Sequence, residues 1–314
     1  MEVVLLTGGA GFIGSHVADA YLAKGHKVVV VDNLSSGKLE NLENAFKSPL
    51  FVFEKCDITD KVKLEEIFKK YRPTVINHHA AQKSVPYSVE DPINNAIVNE
   101  IGLLNLIVLA GKYKIKRFIY VSSGGAMAKD LLYGGANEND IVQLESPYAI
   151  TKYCGELYLK IYSKIYGFDW IGLRYANVYG PRQIPDGECG VVPIFMSNIL
   201  SGKKSTVFVY DDMPKGCIRD YVNVFDVCEF NEIILETPVG LNTVYNIGSG
   251  NELTTLEVYE YLEEVLNIKL DFEIKGPRLG DIKRSVLDIT KAFEVFGWRP
   301  KIDFKNGIKR ILNK

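Results

Sequence analysis

Leu5-Leu6-Thr7-Gly8-Gly9-Ala10-Gly11-Phe12-Ile13-Gly14-Ser15-His16 is the stretch from which the rest of the chain is read. Val3–Leu6 reads as a buried strand, and Ser15–Lys24 as a helix that stops at Gly25. The turn between them satisfies two glycine spacings: Gly9, Gly11 and Gly14 fit G-x-G-x-x-G, while Gly8, Gly11 and Gly14 fit G-x-x-G-x-x-G. Glycines there permit a tight turn and let the backbone approach a pyrophosphate at a helix N-terminus. Unpaired N–H groups and the helix dipole favour negative charge at that point. Val28–Val31 reads as a second buried strand, and Asp32 closes it 18 residues after Gly14. An acid at that place can accept hydrogen bonds from a ribose diol and would repel a 2′-phosphate, so NAD is expected rather than NADP. Asp57-Ile58 follows a third apolar run, Leu50–Phe53, and Asp57 can face the adenine end of a dinucleotide or cap a helix.

Further along, helical patterns alternate with short apolar runs. Lys61–Lys70, Pro92–Tyr113 and the segment from Ser146-Pro147 to Gly167 read as helices, and Thr74–Asn77, Arg117–Ser122 and Trp170–Arg174 as strands. Strands apolar on both faces and separated by helices imply an α/β fold of Rossmann type, a doubly wound parallel sheet. After residue 176 turn signals such as Gly180-Pro181 and Asp186-Gly187 multiply. The expected division is a dinucleotide-binding domain over 1–175 and a smaller substrate-binding domain over most of 176–314, with some later segments returning to the first.

Thirty-seven basic and 39 acidic residues give a net charge of −2, which argues against nucleic acid or an anionic membrane as a partner. At 47% apolar and 24% charged residues, the composition is that of a globular chain. The five cysteines are scattered with no Cys-x-x-Cys pair, so a disulfide framework or zinc site is not expected and a reducing compartment fits. The N-terminus lacks the basic start and long apolar run of a signal peptide, and Ile101–Ala110 is half a bilayer span. A cytoplasmic protein is expected. Adjacent His78 and His79 point to opposite faces of a strand end without a carboxylate cluster, so no metal is expected.

Tyr148 and Lys152 stand at i and i+4 on one helical face. Chance alone supplies such a pair in a chain with 18 tyrosines, so its position carries the information. The pair opens a helix 25 residues after Ser123 ends a sheet strand. At the carboxyl edge of a parallel sheet these groups would converge beside the nicotinamide. A tyrosine of pKa about 10 is a poor base at neutral pH. A cation about 4 Å away is worth about 4 kcal/mol at an effective dielectric near 20, or about three pKa units. Lys152, helped by a positive nicotinamide, is therefore expected to bring Tyr148 near neutrality. Ser123 would hydrogen-bond the reacting oxygen while Tyr148 takes its proton.

With these residues in view, the chain resembles the extended short-chain dehydrogenase/reductases that act on nucleotide sugars. The resemblance is carried by Thr7–His16, Asp32-Asn33-Leu34-Ser35-Ser36-Gly37, Asp57-Ile58, His79-Ala80-Ala81-Gln82-Lys83, Asn99, Ser122-Ser123, Ser146–Lys152, Leu173–Pro181, Arg219-Asp220-Tyr221 and Arg278-Leu279-Gly280-Asp281. It implies an NAD site lined by Gly8, Gly11, Phe12, Ile13, Gly14, Asp32, Asn33, Ser36, Gly37, Asp57, Ile58, Ala80, Ala81, Gln82, Lys83, Asn99, Ser122, Tyr148, Lys152 and Tyr175. It implies Ser123, Tyr148 and Lys152 as catalytic residues. A nucleotide sugar would meet Lys83, Ser123, Tyr148, Asn177, Val191 and Val192, with Arg219 and Arg278 on the diphosphate and Asp281 near the ribose. A planar guanidinium suits phosphate oxygens. The implied activity is C4 epimerisation between UDP-glucose and UDP-galactose through a 4-keto sugar, in a homodimer built from the helices at 92–113 and 148–166.

Gly124–Lys129 and Tyr210–Gly216 depart from the family pattern near the sugar. Dehydratases of the family carry an Asp-Glu pair directly after the catalytic Ser or Thr, where this chain has Gly124-Gly125, which favours epimerisation. A UDP-glucuronate decarboxylase, a dTDP-glucose dehydratase, a simple dehydrogenase and a non-catalytic NAD-sensing module are the rival readings. Ser285, small and four residues after Asp281, is expected by the same resemblance to admit N-acetylated sugars.

Overall fold

The computed structural model describes residues 1–128, 133–185, 190–277 and 282–312. Six strands run in chain order: β1 (Val3–Thr7), β2 (Lys27–Asp32), β3 (Phe51–Lys55), β4 (Val75–His78), β5 (Arg117–Ser123) and β6 (Asp169–Tyr175). With a seventh strand, Thr243–Ile247, they form one sheet ordered Thr243–Ile247, β6, β5, β4, β1, β2, β3. The pairs from β3 across to β5 are parallel. Strand order reverses between β1 and β4, the switch point where an open α/β sheet leaves a crevice at its carboxyl edge. Register brings Thr7 level with Val31 on one side and His78 on the other, and His78 level with Tyr120.

The helices that cover this sheet are α1 (Phe12–Ala23), α2 (Lys61–Tyr71), α3 (Val85–Glu90), α4 (Pro92–Ala96), α5 (Gly102–Lys112) and, after the one-turn α6 (Gly124–Met127), the long α7 (Pro147–Tyr166). Asp60 caps α2, and Ser146 caps α7 by accepting from the Ala149 N–H at 3.1 Å. Gly167 ends α7 at φ +78°, a left-handed position that glycine adopts without strain. The pattern expected as one helix over 92–113 is interrupted by a π-helical turn at Ile97–Ile101. Among the described residues Pro92–Lys112 is long and apolar enough to cross a membrane by length and composition. Its Leu103, Leu106, Ile107, Leu109 and Ala110 nevertheless lie in the core beside the sheet.

The chain divides into two compact units by its internal contacts. The first unit is Met1–Ser123, Ser146–Arg174 and Cys228–Tyr245; the second is Gly124–Glu145, Tyr175–Val227 and Asn246–Lys314. Gly124–Glu145 leaves the first unit because Ala136 pairs with the 286–288 segment: its N–H donates to the Val286 carbonyl, and its own carbonyl accepts from Asp288. Cys228–Tyr245 returns because buried Arg117 anchors it. Arg117 Nε donates to Asp169 at 2.8 Å, and its Nη atoms donate to the carbonyls of Ile234, Thr237 and Pro238. Among the described residues the second unit has its own core around Tyr179, Phe195, Ile199, Tyr259, Leu262 and Ile308, with three small sheets.

Candidate active site

In the first unit the glycine turn is shaped by close backbone approaches. Gly8 holds φ +69°, and its N–H donates to the Val31 carbonyl at 2.9 Å. A Cβ on Gly8 would lie 2.6 Å from the Ala80 nitrogen, and one on Gly14 only 2.4 Å from the Gly8 carbonyl oxygen. Gly11 caps α1 without any side-chain hydrogen bond, and the first turn carries no acid. Helix N–H groups of Phe12 and Ile13 therefore face a place suited to an anion. Gly37 closes over the turn; its Cβ would meet Ala10 at 2.9 Å and Asp32 Oδ1 at 3.0 Å. Asp32 is buried, and burial raises its carboxyl pKa. Its oxygens accept from the N–H groups of Ala10 at 3.0 Å and Leu34 at 2.8 Å, which aims the carboxylate before any ribose arrives. The residues present fit a dinucleotide.

Around that turn the expected lining residues divide by role. Asn33 donates to Asp57 Oδ2 at 2.6 Å, and Asp57 Oδ1 accepts from the N–H and hydroxyl of Thr59. Asp57 therefore organises a turn, while Asp60 is the helix cap. The Ile58 side chain is core, pressed against Gly102, where a Cβ would approach to 2.5 Å. Ser36 is exposed, as is Lys83, and Ala80, Ala81 and Gln82 are half-buried. Asn99 sits in the π-helical turn and serves the loop: it accepts from Gln82 N–H at 2.8 Å and donates to the Gln82 carbonyl and to Thr151. Asn95 donates to Gln82 Oε1 at 2.6 Å and accepts from Thr151. This buried amide network ties the 80–83 loop to α7, and π turns are common at functional sites. The resemblance gave Asn99; nothing in the pattern of Asn95, Gln82 and Thr151 announced their partnership.

Ser123 and Tyr148 meet in a side-chain hydrogen bond. Lys152, one turn further along α7, donates to the Val121 carbonyl at 2.8 Å and lies 5.8 Å from the Tyr148 ring centre. Burial pushes the Tyr148 hydroxyl up to about 12, against a smaller lowering by Ser123. Burial likewise brings Lys152 down to about 8. Burial thus dominates the state of the phenol in the protein by itself, before the positive nicotinamide that the expectation paired with Lys152. Helix α3 places a residue that sequence reading missed. Ser88, fully buried, accepts from the Tyr148 N–H at 3.2 Å and so fixes the start of α7. His78 is hydrogen-bonded to Thr7 at 2.6 Å and stacks on Tyr120, held neutral by burial and by Lys152.

The Lys152 value sets a pH prediction. Turnover falls as pH rises through about 8, when Lys152 loses its charge. Stability moves the other way: between about 8 and the ordinary lysine value of about 10.4, the unfolded chain binds the extra proton, so stability rises with pH. Urea unfolding against pH, compared with Lys152→Met, measures it; an equal slope in both proteins contradicts the assignment.

The remaining candidates belong to the second unit. Asn177 donates through its side chain to the Asp220 carbonyl at 3.2 Å. Val191 and Val192 open the helix Val191–Leu200, with Val192 in the core. Arg219 donates to the carbonyl of Ile218 at 2.9 Å, and buried Asp220 beside it accepts from Ser249 and from the N–H groups of Gly250 and Leu287. Tyr175 is buried. Ser285 is buried opposite Arg219 and donates to the Gly125 carbonyl at 3.1 Å. Arg278 and Asp281 lie outside the described residues.

The glycine cradle, the acid after the second strand and the Ser–Tyr–Lys set at the carboxyl edge together define an enzyme of the extended short-chain dehydrogenase/reductase class, which works with NAD. The chain belongs to the GDP-mannose 4,6 dehydratase family of that class, whose pattern matches residues 5–311. Three solved structures are similar over nearly the whole length. UDP-glucose 4-epimerase from Thermotoga maritima with UDP-glucose is 42% identical, with a TM-score of 0.92 and coverage of 99% of this chain and 97% of that one. The Thermus thermophilus UDP-glucose 4-epimerase complex with NAD is 41% identical, with a TM-score of 0.90 and the same coverage. UDP-N-acetylglucosamine 4-epimerase from Methanobrevibacter ruminantium, in complex with UDP-N-acetylmuramic acid, is 33% identical, with a TM-score of 0.90 and again 99% and 97% coverage.

Proposed function

We propose that this NAD-dependent nucleotide-sugar 4-epimerase interconverts UDP-glucose and UDP-galactose. The observation that carries the reading is the Ser123–Tyr148 hydrogen bond with Lys152 one turn behind it, followed in the chain by Gly124-Gly125 rather than by an acid pair. Tyr148 takes the proton from the sugar C4 hydroxyl and later returns it. Ser123 holds the same oxygen, and Lys152 favours the phenolate. When bound, NAD supplies a reversible hydride acceptor at C4 and positive charge beside Tyr148. The 4-keto sugar turns over about its diphosphate link before reduction from the other face. Lys83, Asn177, Val191, Val192 and Arg219 are the described residues we assign to the nucleotide sugar, with Arg219 on the diphosphate. Proton NMR of the purified protein with UDP-galactose and no added NAD tests this. Appearance of UDP-glucose to equilibrium supports it; loss of water from dTDP-glucose or of CO₂ from UDP-glucuronate, with UDP-galactose unchanged, overturns it.

A second reading has its own support in Ser285, a small buried residue, and in the similarity to an N-acetylglucosamine epimerase. UDP-N-acetylglucosamine is expected to turn over at more than about one-thousandth of the UDP-glucose rate, a discrimination below about 4 kcal/mol. A lower rate restricts the enzyme to plain hexoses.

The active form we propose is a homodimer. Ile93, Ile97 and Ile101 on one helical run and Ile150, Leu157, Ile161 and Ile165 on α7 are exposed apolar side chains on two helices of the first unit. Light scattering is expected to give twice the 35.2 kDa of one chain, and Ile161→Glu with Ile165→Glu to give one. A wild-type monomer refutes the dimer.

A further inference from the structure

One turn beyond Lys152, Glu156 is nearly fully buried and wholly engaged. Its Oε1 accepts from Ser122 Oγ at 2.6 Å and from Arg174 Nε at 2.9 Å, and its Oε2 accepts from Arg174 Nη2 at 2.7 Å. All three side chains are over nine-tenths buried. Tyr148, Lys152 and Glu156 stand at i, i+4 and i+8, within an arc of about 80° on α7. Ser122 directly precedes Ser123 at the end of β5, and Arg174 lies near the end of β6. The carboxylate thus joins the strand end bearing Ser123 to the helix bearing Tyr148 and Lys152. Stability alone does not call for such a group, because an apolar set of the same volume holds a core at least as well as a buried ion pair.

We propose that Glu156 is a positioning residue for the reaction: gripped by Ser122 and Arg174, it fixes the spacing between Ser123 and Tyr148 and supplies the negative charge that faces Lys152 inside the site. Its catalytic consequence rests on the epimerase reading above. The titratable neighbours are few. His78 at the end of β4 and His79 directly after it feel the Lys152 charge and are held neutral by burial first. On β5, Tyr120 lies under the ammonium, 5.3 Å from ring centre to Nζ, and Glu100 acts on Tyr120 from the π-helical turn. Burial pushes the Tyr148 hydroxyl up to about 12. Glu156 is the anion that raises the Lys152 value against its desolvation.

Two measurements on Glu156→Gln test this, one without substrate. The stability rise that marks Lys152 deprotonation, read by urea unfolding against pH relative to the same protein carrying Lys152→Met, begins at lower pH by about one unit, a tenfold change in the proton equilibrium. With UDP-galactose, the alkaline limb of kcat moves down by a similar amount, and Glu156→Asp restores most of it. Should Arg174 left unpaired unfold the single variant, Glu156→Gln with Arg174→Met keeps the fold and still displaces the limb in the same direction. A limb and a stability onset that stay at the wild-type pH overturn the proposal, whatever happens to the melting temperature. Wild-type protein that leaves UDP-galactose unchanged counts against the epimerase reading alone, since the unfolding measurement still reports on Glu156.

Discussion

Tyr148→Phe is expected to lower kcat for UDP-galactose epimerisation by about 10²–10⁴-fold, the usual worth of a positioned proton-transfer group. Only the hydroxyl is removed. The Tyr148 N–H still donates to Ser88, so the start of α7 is unchanged, and the ring still faces Lys152. The hydrogen bond with Ser123 disappears with the hydroxyl, and it is worth about 1 kcal/mol at most to stability. Activity and stability therefore separate: turnover collapses while the melting temperature and the amount of NAD carried by the purified protein hold. Those three readouts decide the assignment. A variant that keeps a tenth of wild-type kcat removes Tyr148 as the proton acceptor. One that loses its NAD shows instead that the hydroxyl serves binding.

Gly8→Ala is the second large effect, and it arises before any chemistry. Gly8 occupies φ +69°, where a side chain costs about 1–2 kcal/mol. The added methyl would also lie 2.6 Å from the Ala80 nitrogen and 2.8 Å from its Cα, both backbone atoms that cannot swing aside. Overpacking of that kind costs a further 1–3 kcal/mol, roughly. Relief comes only by moving the glycine turn away from the 80–83 loop, and that displaces both walls of the cofactor cradle. The protein is expected to melt earlier and to be purified with little NAD. Gly25→Ala is the control: φ is +79° but no atom lies within 4 Å of the new methyl, so only the conformational cost remains and NAD stays bound. Equal NAD content in the two variants would mean that the approach of Gly8 to Ala80 does not shape the cofactor site.

Much of this architecture was legible because it is local. The strand, glycine turn, helix and Asp32 occupy one short stretch, and each residue type answers to a constraint from its immediate neighbours. Ser146-Pro147 and Gly167 mark the ends of α7 by cap chemistry alone. The π-helical turn at Ile97–Ile101 was not legible, because a single extra residue in a turn leaves the apolar spacing of 92–113 nearly intact. Helix α3 is one and a half turns long and too short for periodicity to register, though Ser84 before Pro86 carries the same start signal as Ser146 before Pro147.

Residues distant in the chain were assigned by resemblance or not at all. Ser88, Glu156 and Arg174 stand in ordinary helical or strand patterns, and their importance appears only when Tyr148, Lys152 and Ser122 are beside them. The same holds for Cys228–Tyr245, drawn back to the sheet by Arg117 from more than a hundred residues away. The state of the Tyr148–Lys152 pair is likewise a tertiary matter. Spacing places the two groups on one face, but burial decides that the phenol is held near 12 and the ammonium near 8. By itself the sequence determined the parallel sheet and the dinucleotide turn, since short-range sterics and period govern those. The tertiary structure decided which segments share a unit, which buried partners aim the catalytic groups, and how strongly each holds its proton, because desolvation and hydrogen bonding depend on what the rest of the chain brings near.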